Sequence, residues 1–221
     1  MNNYTLSEIE NARKKMSGYI ALLDFRYKNL CVKADIAALL PVTVYIDGQD
    51  GNIEEFANVN QPSDFQLGVY PKDPKDLQDI IQGIYEAHPE FKMEIKSTDG
   101  SEDEASKFLL YTMPEVDKNR YDFLTNAVKG LHDECNGRLD KIYAEYQAEF
   151  LKMLADLPPI ESDEAKKALD EVNGKCRNMA RDLLSEKQDE IEEGYQDYLK
   201  MMEEKRQEDA EIDFTKGFRI F

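Results

Sequence analysis

His132 and Cys135 stand three residues apart with Asp133 and Glu134 between them, a crowding of imidazole, thiol and carboxylates that could ligate a metal or pass a proton. Zinc needs four convergent ligands, and the spacing that brings His132 beside Cys135 on a helix also sets Cys135 on an apolar stripe. Cys135 therefore reads as a core thiol and His132 as its flank. Cys31 and Cys176 take near-apolar positions on two other helices, with Cys31 too far from Cys135 for a three-cysteine site. An odd number of widely spaced cysteines suits a reducing compartment. Asp47-Gly48 and Asp50-Gly51 lack the twelve-residue ligand pattern of a calcium loop, so a hairpin turn is expected there. The pairs Glu54-Glu55 and Glu192-Glu193 read as solvated faces. No glycine-rich phosphate loop, Ser-His-Asp order or H-E-x-x-H motif occurs. No catalytic residue, metal ligand or cofactor is expected, and nothing positive supports an enzyme.

The elements that carry these residues follow from apolar spacing. Ile9, Ala12, Met16, Ile20, Leu23, Tyr27 and Leu30 fall at steps of three and four, which predicts a first helix from Ser7 to about Leu30, capped by Thr5 or Ser7. The texture then changes. Val42-Thr-Val-Tyr-Ile46, Phe65-Gln-Leu-Gly-Val-Tyr70, Phe91-Lys-Met-Glu-Ile95 and Phe108-Leu-Leu-Tyr111 read as strands, and Asp76–Glu86 as a short helix before Pro89. Ser97–Ser106 is a polar loop. From Asp117 to Leu157 the three-four spacing returns through Leu124, Val128, Cys135, Leu139, Ile142, Tyr146 and Phe150, about 60 Å of helix. Pro158-Pro159 ends it, and Ser162 or Asp163 is expected to cap a third helix. Its stripe runs through Ala165, Leu169, Val172, Cys176, Met179, Leu183, Ile191, Tyr195, Tyr198 and Met202.

Two long helices joined by a short turn must run antiparallel, and the first helix supplies the third wall. The expected class is α+β. Residues 1–33 and 112–207 form a long antiparallel three-helix bundle, 34–111 a small α/β domain inserted after the first helix, and 208–221 an aromatic C-terminal tail carrying Phe214, Phe218, Ile220 and Phe221. That tail is expected to pack on the protein's own surface or a partner, given its apolar content. Only two strands of chain cross the boundary, so the bundle and the inserted domain are expected to move as separate rigid bodies.

The chain of 221 residues is 41% apolar and 33% charged, with a net charge of −18. That balance argues against a nonspecific nucleic-acid binder, which must neutralise phosphates, though a local basic patch remains compatible with it. No stretch is apolar and long enough to span a membrane, and the N-terminus lacks an export signal, so a soluble, cytoplasmic monomer is expected.

The layout resembles the ribosome recycling factor family. Val42-Thr-Val-Tyr-Ile-Asp-Gly48 followed by Ile53-Glu-Glu-Phe-Ala-Asn-Val59 is similar to the family's strand, glycine turn and "L-x-x-[LI]-A-x-V" segment. Gln66-Leu-Gly-Val-Tyr-Pro-Lys-Asp73 is similar to "T-L-x-I-x-P-[WF]-D", Ile80 and Ile84 to "I-x-K-A-I", and Met113-Pro-Glu-Val-Asp-Lys-Asn-Arg120 to "L-P-x-L-T-x-E-R". Val128-Lys-Gly130 is similar to its "V-[RK]-x" turn. The resemblance implies an L-shaped, non-catalytic translation factor. It would bind large-subunit rRNA and act beside elongation factor G to split post-termination complexes. It also implies rRNA contacts at Lys33, Arg120, Lys129, Arg138 and Lys141, although ordinary solvent-exposed helix charges remain the alternative for each.

The departures are specific. Where the family has "R-N-x-R-R" on helix two, this chain has Asp140-Lys-Ile-Tyr-Ala144. Helical spacing places Lys129, Asp133, Asn136, Asp140, Tyr143 and Gln147 on that face, one cation against two acids. An aspartate repels phosphate and cannot imitate the planar fork of arginine. Residues 186–211 hold 11 acids and 4 bases, extending the third helix. The alternative function is therefore a divergent paralogue that has lost most rRNA contacts and holds a basic protein partner.

Overall fold

The computed structural model describes residues 3–153 and 159–217, with side chains described for 5–152 and 162–208. Helix α1 (Asn3–Lys28) is followed by strands β1 (Thr43–Ile46) and β2 (Gln49–Asn52), a single helical turn α2 (Ile53–Phe56), and strands β3 (Ala57–Ser63) and β4 (Gln66–Pro71). Then come α3 (Leu77–Ala87), β5 (Lys92–Ser97), β6 (Lys107–Thr112) and the two long helices α4 (Lys118–Met153) and α5 (Pro159–Gly217). Among the described residues no helix is long and apolar enough to cross a membrane. The chain divides into two compact units, residues 1–27 with 122–191, and residues 28–121 with 192–221.

The first unit is a three-helix bundle whose core is the apolar spacing made solid. Met16, Ile20 and Leu23 of α1, Leu124, Val128 and Leu139 of α4, and Leu169 and Ile191 of α5 are all buried. The Tyr27 hydroxyl donates to the Val128 carbonyl at 3.0 Å within that core. Lys15 lies over the Tyr146 ring while Tyr27 reaches Val128, so α1 and α4 run antiparallel. Tyr143 reaches Asp170 and Asp140 reaches Arg177, so α4 and α5 do also.

Three local expectations are corrected here. α1 is already helical at Asn3, so neither Thr5 nor Ser7 caps it, and Thr5 is instead buried. α5 begins at Pro159, which suits a first helical position where no amide hydrogen is needed, and Ser162 and Asp163 lie inside the first turn. Met179 is 52% exposed and Ala180 is buried in its place, with Lys187 buried further on. A turn of 3.6 residues drifts against a strict three-four count, and over a helix this long the seam moves by one residue. Pro158 and the turn around it, residues 154–158, lie outside the described residues, as do the side chains of the aromatic tail.

The second unit holds the inserted α/β module. β1 and β2 form a hairpin whose turn residues Asp47 and Gly48 both have positive φ, as a two-residue turn of the primed type demands. The other strands form one antiparallel sheet in the order β3-β4-β6-β5. β3 runs on through Pro62, which an edge strand tolerates because its outward side needs no donor. Alternate residues Leu67, Val69, Leu109 and Tyr111 point into one core with Val44, Ile80 and Ile84. α3 lies so close to β1 that a Cβ at Gly83 would stand 2.7 Å from the Thr43 carbonyl oxygen. Cys31, expected on the first helix, lies beyond its end and is buried in this second core. Gly83→Ala is expected to destabilise the protein by about 1–3 kcal/mol through this overpacking, read as a lower urea midpoint with unchanged slope.

Candidate functional site

Within the bundle, the face of α4 singled out by its spacing is tied to α5. Arg177 pairs with Asp140, and its Nε donates to Asn173 Oδ1 at 3.3 Å. The Tyr143 hydroxyl donates to Asp170 Oδ1 at 2.5 Å, and that bond holds the phenol's pKa above its ordinary value. Asp140 is therefore a paired charge, which lessens its repulsion of a nearby phosphate. Arg177 was not singled out in the sequence. The antiparallel pairing of α4 and α5 was the signal that could have found it, once their register was known.

Lys129, Arg138 and Lys141, the sequence-identified cations of α4 that lie in the bundle, do not converge. Lys129 is exposed on the α5 flank, with no hydrogen bond or ion pair among the described residues. Nine residues on, Arg138 lies about half a turn round the helix. It sits 3.8 Å from Glu134 and over the Tyr19 ring, beside α1. Glu134 also takes Arg26 at 2.7 Å, so one carboxylate is shared by two guanidinium groups. Lys141 is exposed on that same flank. His132 makes only local contacts, to Asn136 at 3.2 Å and Asp133 at 3.7 Å. No group of metal-ligating side chains assembles among the described residues.

Lys33 and Arg120 belong to the second unit, where they hold chain segments together. Asp117 accepts from the Arg120 backbone amide at 2.8 Å and so caps the start of α4. The Arg120 side chain turns inward, and its Nη2 donates to the Cys31 carbonyl at 2.7 Å. Its Nε is buried without a hydrogen-bond partner among the described residues. Burial pushes the guanidinium pKa down, while Glu90, Cys31 and Asp117 oppose that shift. Lys33 Nζ meets Glu193 Oε2 at 2.8 Å, and that hydrogen bond raises the ammonium pKa.

The same turn of α5 makes further ties. The Tyr121 hydroxyl donates to Glu192 at 2.8 Å, and the Tyr121 and Tyr195 rings lie 4.6 Å apart with Lys118 over both. Gly194 allows the helix to approach closely, since a Cβ there would stand 2.7 Å from Val32 and 3.1 Å from Val116. Nearby in the module, His88 is buried, stacked on Phe91 at 4.5 Å, with Nε2 3.0 Å from the Ala38 carbonyl and Nδ1 3.4 Å from Glu90. Burial alone would raise the Glu90 pKa, but hydrogen bonds from His88 and from its own backbone bring it below the usual value. No periodicity in the sequence marks His88 for burial; the approach of the Ala38 carbonyl and the Phe91 ring decides it.

Comparison with known proteins places this geometry in a wider setting. The family model described as Ribosome recycling factor matches residues 26–191. A solution structure of a ribosome recycling factor matches with a TM-score of 0.70 at 16% identity, covering 87% of this chain and all of that one. A chain from models of the T. thermophilus ribosome recycling factor and E. coli elongation factor G bound to the E. coli post-termination complex matches with a TM-score of 0.58 at 19% identity. It covers 85% of this chain and 98% of its own. At such identities the likeness is one of fold. Among curated proteins none matches.

The two second-unit cations should differ sharply in what they contribute. Arg120→Met is expected to cost about 2 kcal/mol, because a charged donor to a buried carbonyl is lost. Lys33→Met should cost less than about 1 kcal/mol, the ordinary worth of a surface ion pair. Urea unfolding of the two variants checks the ranking; equal losses would mean that Arg120 does not act as an internal tie.

Proposed function

Because the chain belongs to the ribosome recycling factor family, its match running from residue 26 to residue 191, we propose that it binds the ribosome and helps to disassemble post-termination complexes. It acts without chemistry of its own, with large-subunit rRNA and elongation factor G as partners, in the cytoplasm. The family match over three quarters of the chain carries this reading, and the long-helix fold with its inserted sheet domain supports it. In this proposal Lys129 supplies a phosphate contact on the α5 flank of α4, and Arg138 and Lys141 supply theirs on the α1 flank. Lys33 and Arg120 lend positive charge at the segments joining helix to module while their donors serve Glu193 and Cys31.

One observation favours a second reading. The α4 face that would meet phosphate carries Asp133 and Asp140, and its polar groups at 140 and 143 are engaged by α5. A paralogue that keeps the scaffold but has lost most rRNA contacts would have such a face.

Cosedimentation with ribosomes across a salt series separates the two. About three phosphate contacts predict an affinity that falls on the order of tens-fold between roughly 50 and 200 mM salt, against 10³–10⁵ for six to ten contacts. Asp140→Arg with Tyr143→Arg should strengthen binding about tenfold at low salt, since the first change both adds a cation and releases Arg177. Absence of ribosome binding even at low salt, unrepaired by the double variant, would leave the paralogue reading standing.

A further inference from the structure

The family match stops at Ile191, but α5 continues to Gly217. The stretch beyond Ile191 carries an apolar stripe that its neighbours progressively stop covering. Tyr195 still packs on Tyr121, and Tyr198 is half-buried, but Leu199 is 42% and Met202 45% exposed. Steps of three and four place all four on one side of the helix. From Glu203 to Glu208 every side chain is exposed.

The charge around the stripe decides what can cover it. Residues 192–217 hold nine acids and four bases. Two of those bases are already engaged, Lys200 by Asp197 at 3.4 Å and Arg206 by Glu203 at 2.9 Å. Glu204 and Glu208 make no ion pair among the described residues. A helix is about 10 Å across, slightly more than the screening length at physiological salt, so carboxylates on its back reach the stripe attenuated and act most strongly at low salt. Nucleic acid, an anionic lipid surface and a second copy of the same acidic segment are all repelled. A cationic polypeptide is attracted.

We propose that residues 195–208 of α5 form a docking face for a basic amphipathic protein helix. Its apolar side chains cover Tyr198, Leu199 and Met202, and its lysines or arginines are drawn by the net negative field of the segment. The apolar contact supplies affinity and the field supplies encounter rate and the choice of partner sign. The face lies outside the family match and does not depend on ribosome binding.

The test titrates the full chain against a labelled helical peptide of about 18 lysines and leucines, with the leucines at a three-four spacing. A scrambled peptide of the same composition and a glutamate-leucine counterpart serve as controls. The patterned basic peptide should bind at least about tenfold more tightly than either control, and slow amide exchange within residues 195–208. Leu199→Ser with Met202→Ser should weaken binding about tenfold. Glu204→Lys with Glu208→Lys should weaken it several-fold and flatten its salt dependence. All four side chains are exposed, so the fold should survive, and the charge variant keeps the test decisive if serine shortens the helix. Equal binding of the scrambled peptide, equal binding by both variants, or exchange protection elsewhere in the chain would overturn the proposal.

Discussion

Neither α4 nor α5 would hold its length as an isolated helix in water, since helical stability in proteins comes mainly from packing an apolar face. What holds them is one continuous buried seam, Leu124, Val128, Leu139, Tyr146 and Phe150 against Ala165, Leu169, Ala180 and Ile191, closed by Met16, Ile20 and Leu23 of α1. The seam fixes which residue of α4 meets which residue of α5. Every polar tie between these helices follows from that register. Asp140 finds Arg177 and Tyr143 finds Asp170 because the core places them there.

In the second unit a different economy operates. The residues just beyond the two departures of chain from helix, Val32 with Lys33 and Val116 with Tyr121, gather on one turn of α5. Gly194 is what permits it, by presenting backbone where any Cβ would collide with valine. Around that contact Arg120 ties the start of α4 to the carbonyl of Cys31. Arg120, which looks like a surface cation in the sequence, is in this way committed to a backbone carbonyl. A charge spent internally is less available to any phosphate outside the fold.

The acidic surface and the family's expected partner stand in tension, and the tension is not spread evenly. In the α4 face, Asp140 is met by Arg177 from the neighbouring helix. In the α5 extension, acids outnumber the bases and an apolar stripe lies among them. The first is an acidic face partly neutralised by α5 and the second an acidic segment largely left unneutralised, on stretches of chain inside and outside the family match.

The sequence by itself determined the long helices, α3 and strands β1, β4, β5 and β6 in their order, while β2, α2 and β3 carry no periodicity that marks them. Three-four spacing marked the long helices, Asp47-Gly48 marked the hairpin, and alternation marked the other sheet strands. These signals are legible because they arise from local backbone geometry, 3.6 residues per turn or two per pleat. The family was legible for a related reason, in the order and spacing of short motifs. Only tertiary structure decided that Ala180 and not Met179 is buried, that Arg120 points inward, and that Arg177 answers Asp140. The drift of a long seam accumulates over many turns, and the partner of a long side chain depends on register between segments far apart in sequence. Neither quantity is a property of any short stretch of the chain; both are set when the apolar faces pack.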